Sequence, residues 1–438
     1  YSISILASSM SSIPAFDTLI RNAALQGSVA LTDIGIRDGR IAAIIPVAQR
    51  GEDKAHVVED VGGRLVLPGF VDTHVHLDKS CLLACCRGVG GGLKGAVAAV
   101  SRLKQEFTEE DVYRRGARTI EMAILQGTMH MRTHVEVDPR VGLRSLAAMQ
   151  RLKCDYAFAI DLSICVFPQE GLFNDPGTEA LLEKALDSGA DLLGGCPYTD
   201  SDPRAHMERL FDMAESHDVD LDFHLDFDLD PSWTHMDDIC RLTEARGWQG
   251  RVAIGHVTKL AAMEEGAFER HVTQLLGAGV AVTALPSTDL YLNGRDKGFR
   301  AVRGVAPVHL LADRGITTSI ATNNVMNPFT PYGDCSLLRM ANLYANLMHI
   351  GPEGFSQCLD MITGDAARLM HIDAYGIAPG HFADLIVLDA TLEDEAFGSI
   401  APVLMGLKKG RKTFERRAEI FYGQRTPIAQ ADMIAEGP

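Results

Sequence analysis

The chain has no basic face, no long apolar run and no metal-binding pattern of cysteines. Asp and Glu number 58 against 41 Lys and Arg, giving a formal charge of −17 and a pI near 5.3. Nucleic-acid binding, which needs cations massed against phosphates, is excluded. No segment approaches the ~18 consecutive apolar residues of a membrane-spanning helix. The opening Tyr1-Ser2-Ile3-Ser4-Ile5-Leu6 lacks the charged start of a secretory signal, so a cytoplasmic protein with no membrane partner is expected. The nine cysteines are scattered, several inside apolar runs where a reduced thiol packs as a small hydrophobe. Cys81, Cys85 and Cys86 cluster, but not at zinc-ribbon spacing, and a structural role is expected for them. No strand leads into a phosphate-cradling glycine fingerprint; Gly88 to Gly92 reads as a mobile loop after the first barrel strand.

What the chain does have is a rhythm. Short alternating segments open it, Phe16 to Arg21, Ser28 to Arg37, Arg40 to Pro46 and His56 to Asp60, punctuated by Asp38-Gly39 and Gly62-Gly63. The same style returns at the far end, in Gly376 to Asp389 and Val403 to Arg416. Between the ends, apolar β-branched runs alternate with helical ones. The strands are Leu65 to Thr73, Met129 to Val135, Tyr156 to Val166, Leu192 to Gly194, Val219 to Leu225, Val252 to His256, Val280 to Leu285 and Thr317 to Thr322. The clearest helix starts at Asp175-Pro176, runs through Glu179 to Leu186 and stops at Gly189. Eight strands with helices between them predict a closed (β/α)8 barrel of the TIM type rather than an open sheet. The expected division is a barrel over residues 68–373 and one small β-sandwich domain formed by both ends, 1–67 and 374–438.

In such a barrel the chemistry belongs at the C-terminal ends of the strands. His74 and His76 end the first strand, where residues two apart share a face, so both imidazoles point the same way. The fifth strand ends in Asp222-Phe223-His224-Leu225-Asp226, the sixth in Gly255-His256, the eighth in Ala321-Thr322-Asn323. One histidine at a strand tip is ordinarily a packing or surface group. Four histidines on three tips predict a shared metal site.

These residues carry a resemblance. Pro68-Gly69-Phe70-Val71-Asp72-Thr73 leading into His74-Val75-His76-Leu77-Asp78 is similar to strand one of the amidohydrolase superfamily. Arg132-Thr133-His134, Phe167-Pro168-Gln169-Glu170-Gly171, Gly255-His256, Leu292 to Arg295 and Asn327-Pro328-Phe329 narrow it to the branch containing cytosine deaminase and N-isopropylammelide isopropylaminohydrolase. The resemblance implies that His74, His76 and His224 hold one divalent ion, Zn or Fe, and that His256 orients water or substrate and polarises the attacked carbon. It also implies that Gln169 grips a heterocycle and that Phe329, replacing the branch's tryptophan, walls the ring. A β-sandwich assembled from both chain ends is typical of the superfamily, and related barrels commonly form homo-oligomers. The apolar helix after Cys335 is expected to pack on its own barrel.

Two departures bear on mechanism. Asn323 stands where the branch carries a metal-binding aspartate, and an amide cannot take a proton at neutral pH. Phe227 stands where a glutamate shuttles protons to the ring. A positioned acid or base contributes roughly 10²–10⁴-fold, so cytosine itself is not expected as substrate. Asp226, sharing a face with His224, is the candidate replacement for acid/base work, with Phe227, Phe329 and Asn323 lining the substrate's place. Asp78 is expected to orient a ligand histidine or hold a loop, Lys79 to be solvated or salt-bridged, His134 to pack inside the barrel and Asp191 to be structural. The expected function is hydrolysis of a C–N bond in a small nitrogen heterocycle or cyclic amide by hydroxide that the metal supplies near neutral pH. Two other readings stay open: a metal- or ligand-binding pseudoenzyme on the same barrel, and a metal-free site whose histidines hold an anion directly.

Overall fold

Pro68 and Gly69 divide the apolar run Leu65 to Thr73 between two sheets. In the computed structural model, which describes residues 15–51, 54–86, 92–295, 299 and 302–416, Leu65–Pro68 is a strand of the end domain. It pairs antiparallel with Leu385–Leu388 and parallel with Ala24 and Leu25. The next strand, Phe70–Val75, already belongs to the barrel. The junction requires glycine, because a Cβ at residue 69 would sit 2.4 Å from Met129 Sδ. Residues 88–91 of the glycine-rich loop lie outside the described residues, and Gly92 begins the helix Gly92–Leu103.

Eight parallel strands form the barrel: β1 Phe70–Val75, β2 Thr128–Glu136, β3 Asp161–Phe167, β4 Leu192–Gly195, β5 Asp220–Leu225, β6 Val252–His256, β7 Ala281–Ala284 and β8 Thr318–Ile320, paired in sequence order. Asn323, just past β8, closes the ring: its N–H donates to His74 O and its carbonyl accepts from His76 N–H, both at 2.8 Å. Two sequence expectations shift. β3 starts at Asp161 because Tyr156 ends the helix Arg144–Asp155, its N–H donating to Leu152 O. The helix expected from Asp175-Pro176 begins at Thr178, with Gly177 left-handed before it and Asp175 paired to Arg140. The helix Leu337–Met348 buries Leu337, Leu338, Met340 and Tyr344 in its own chain, as its apolar face predicts. Among the described residues no helix is long and apolar enough to cross a membrane.

Both chain ends build the second domain. Phe16–Leu25, Thr32–Arg37, Arg40–Pro46, Ala55–Asp60 and Leu65–Pro68 join Leu385–Leu388, Val403–Lys408 and Arg411–Glu415. Phe16–Leu25 takes part in both halves of this sheet, its register shifting between Ile20 and Ala23. The two halves share a core that includes Ile20, Ile34, Ile36, Val66, Leu385 and Leu407.

A buried ionic network ties this domain to the barrel. Lys408 Nζ lies 2.6 Å from Asp384 and 2.7 Å from Asp161 at the start of β3, and donates to Met129 O of β2 at 3.2 Å. Burial alone would raise the Asp384 pKa, but the hydrogen bond from His130 and the Lys408 ammonium bring it down to about 2. Its contribution to stability is therefore complete above the ordinary aspartate value near ~3.9 and is lost as pH falls towards 2. Lys408→Met leaves the Asp384 carboxylate buried without its ammonium and should cost roughly 3 kcal/mol of unfolding free energy at neutral pH. Urea denaturation checks this; a loss below about 1 kcal/mol, the worth of an exposed pair, would contradict it.

Candidate active site

Inward positions of a barrel strand recur every second residue, and in β5 this rule puts Asp222 and His224 inside while Leu221, Phe223 and Leu225 pack against the helices. In β1 the same alternation, continued past its end, presents His74 and His76. The three imidazoles converge: His224 Nε2 lies 3.1 Å from His74 Nε2 and 3.1 Å from His76 Nε2. His76 Nδ1 donates to the His134 carbonyl at 3.1 Å, which leaves its Nε2 with a lone pair. Burial first, and then the neighbouring cationic forms, hold all three well below the ordinary histidine pKa, so all three are neutral. Three buried Nε2 nitrogens converging in this way, with the His76 proton held on Nδ1, fit a divalent cation.

Beneath them lies a polar floor. His134 stacks on His74 with ring centroids 3.7 Å apart, and Asp222 takes a 2.7 Å hydrogen bond from Arg132. His134 is thus packed in the barrel interior, with Asp222 3.4 Å from its Nε2. Beside the three histidines, at the tip of β6, His256 donates from Nδ1 to Asp289 Oδ1 at 2.6 Å, which leaves Nε2 for the site. Asp289 belongs to the short helix Pro286–Leu292 that follows β7. Asp226, His256 and Asn323 all adopt left-handed φ, at 48°, 70° and 62°. Such backbone at strand tips costs of order 1–3 kcal/mol each and is characteristic of functional sites.

Above the histidines is a small cleft with about 10 Å³ of free space, roughly room for one water. Gln169, Phe227, His256, Asn323 and Phe329 line it, together with His76 and His224. Phe227 meets the His256 ring edge-on at 4.4 Å.

Residues 146–414 match the amidohydrolase family. The chain belongs to it. Enzymes of this family are metal-dependent hydrolases of C–N bonds, and so is this one. Among curated relatives, N-isopropylammelide isopropyl amidohydrolase of Pseudomonas sp. (strain ADP) is 28% identical over 90% of this chain and 96% of its own length. A pterin deaminase of Rhizobium rhizogenes is 27% identical over 86% of this chain and 87% of its own. Among solved structures, 5-methylcytosine deaminase of Klebsiella pneumoniae with phosphonocytosine superposes with a TM-score of 0.87 at 30% identity, covering 92% of this chain and all of the other.

In this amidohydrolase Asp226 is not brought to the cavity. Its carboxylate accepts from the Thr234 hydroxyl and from His235 N–H at 3.1 Å, because the left-handed turn at residue 226 swings it off the inward face that strand alternation predicts. Asp78 holds the loop after β1, accepting from Glu136 N–H at 2.9 Å while its carbonyl accepts from Arg115. Asp191 accepts from Ile164 N–H and pairs with Lys153, outside the barrel. Lys79 is salt-bridged, one of the two states expected of it, but is also buried: it is 1% exposed and lines the cavity with its Nζ 2.7 Å from Glu136 and 2.9 Å from Gln169 Oε1. Asp289, Tyr198 and Thr288 were not read from the sequence. Asp289 carries the ordinary signature of an acidic residue in a helix's first turn, which conceals its contact with His256.

Proposed function

We propose that this amidohydrolase hydrolyses a C–N bond of one small, flat nitrogen heterocycle or cyclic amide, with His74, His76 and His224 holding a single divalent ion, Zn or Fe. The observation that carries the reading is the convergence of three buried imidazole nitrogens at the mouth of the barrel, beside Gln169, Phe227 and Phe329. The relatives' names point the same way, since isopropylammelide, pterins and 5-methylcytosine are all planar nitrogen heterocycles. Such an ion, when bound, acidifies water near neutral pH and polarises the attacked carbon.

The protein's own groups supply the rest. His256 is fixed by Asp289 with its proton on Nδ1, so Nε2 is the acceptor that can take a proton and return it to the leaving nitrogen. This role passes to His256 because Asp226 is engaged by Thr234 and His235, and because residues 323 and 227 carry no carboxylate. Phe227 and Phe329 flank the ring, and Gln169 and Asn323 meet its polar edge. No observation favours the non-catalytic alternative. Elemental analysis of the purified protein should find about one Zn or Fe per chain, and screening should find metal-dependent release of ammonia or amine from triazines, aminopyrimidines or pterins, or metal-dependent ring opening of cyclic amides. Absence of metal after growth and purification with added Zn and Fe would sink the reading.

A further inference from the structure

Among the described residues that line the cavity there is no Asp and no Glu; the one side chain of fixed charge is Lys79. Its ammonium is held in place from behind by Glu136, which is not in the lining and which Lys104 approaches on its other oxygen at 2.8 Å. Burial would raise the Glu136 pKa, but Lys104 and Lys79 carry it down to about 2, so it stays a carboxylate. Of the three protons on Lys79, one goes to Glu136 and one to Gln169 Oε1; the ammonium also stands 4.4 Å above the Phe329 ring, on the wall where a flat ligand would lie.

The side-chain amide oxygens in the cavity wall each already accept a hydrogen bond. Gln169 Oε1 receives Lys79, Asn323 Oδ1 receives Asn324 Nδ2 at 3.0 Å, and Asn324 Oδ1 receives Asn327 Nδ2 at 2.7 Å. Donors are in surplus, since Asn323 Nδ2 is buried with no partner. A neutral ring bearing amino groups would meet donors with donors, whereas an oxygen anion would satisfy them.

We infer that Lys79 is a specificity-determining residue and that the ring it selects is an oxo- or hydroxy-heterocycle ionised near neutral pH, with one anionic oxygen on Lys79 Nζ. The inference rests on the heterocycle reading of the previous subsection and adds the charge of the substrate to it. It requires no change in the hydrolytic step.

The test compares two rings of similar size by calorimetry on the purified enzyme: barbiturate, an anionic oxo-pyrimidine, and 2-aminopyrimidine, which is neutral and has no oxygen. Wild type should bind barbiturate at least tenfold more tightly. Lys79→Met should remove that preference and leave 2-aminopyrimidine binding unchanged, while Lys79→Arg should keep part of it. Equal affinities in wild type, or a preference that survives in folded Lys79→Met, overturn the inference and leave the heterocycle reading standing. If neither ring binds, both fall. Should the variants not fold, a crystal structure of wild type with barbiturate decides: an oxygen 2.7–3.2 Å from Lys79 Nζ supports the inference, and a greater distance overturns it.

Discussion

His224→Ala is expected to reduce bound metal to a small fraction of one ion per chain and to lower kcat/KM by roughly 10³-fold or more. Its Nε2 makes both 3.1 Å contacts and is the common neighbour of the other two imidazole nitrogens. A tridentate set reduced to a pair loses both affinity and geometry. The transition-state stabilisation that a metal supplies, several kcal/mol, converts to about three orders of magnitude at 1.36 kcal/mol per tenfold. The fold should persist, because His224 lies in a polar layer whose remaining members, Arg132, His134 and Asp222, keep their contacts. Metal analysis, steady-state kinetics and a thermal melt on one preparation decide the matter. Full activity at unchanged metal content would show that the ion is held elsewhere.

The second large effect is expected at a residue that touches no metal ligand. Asp289→Asn should lower kcat by about 10²–10⁴-fold while leaving the metal in place. The aspartate accepts from His256 Nδ1 and so keeps the proton off Nε2. An asparagine amide can donate to Nδ1 instead, which moves the ring proton to Nε2, where an acceptor is needed. The pair is fully buried, so water does not restore the lost contact. A metal-replete variant that turns over at close to the wild-type rate would remove His256 from proton transfer.

The architecture was legible because it rests on periodicity. Eight apolar runs spaced by helices specify the barrel, and glycine-bearing turns between short strands at both ends, Asp38-Gly39 and Gly62-Gly63 at one and Gly376 and Gly380 at the other, mark the second domain. The histidines were legible for the same reason, being polar residues at the tips of runs that are otherwise apolar. Side chains whose direction depends on a local turn were not. Asp226 follows strand alternation by sequence yet leaves it at a left-handed residue, and that φ is a property of the folded loop. Lys79 read as solvated or salt-bridged, and the sequence did not say that its salt bridge is buried in the cavity wall. Its burial depends on Glu136 and Gln169, contributed by two other strands, and no local pattern announces that meeting. Asp289 is the same case, its partner His256 lying at the tip of β6, one strand further back than the β7 that leads into its helix.

The seam at Pro68-Gly69 also sets an order of events during synthesis. The ribosome delivers His74 and His76 early, yet the strand that feeds them is paired on one side by Leu385–Leu388, and their own backbone is stitched to Asn323. Both of those partners are made long afterwards. Until they emerge, the nascent chain has the histidine pair but no rigid frame to hold it, and the pairings still to come join residues far apart in sequence, the kind that form late. A chain cut short before Leu385 carries both histidines without the strand that anchors them, so on the proposed reading metal loading waits for that strand.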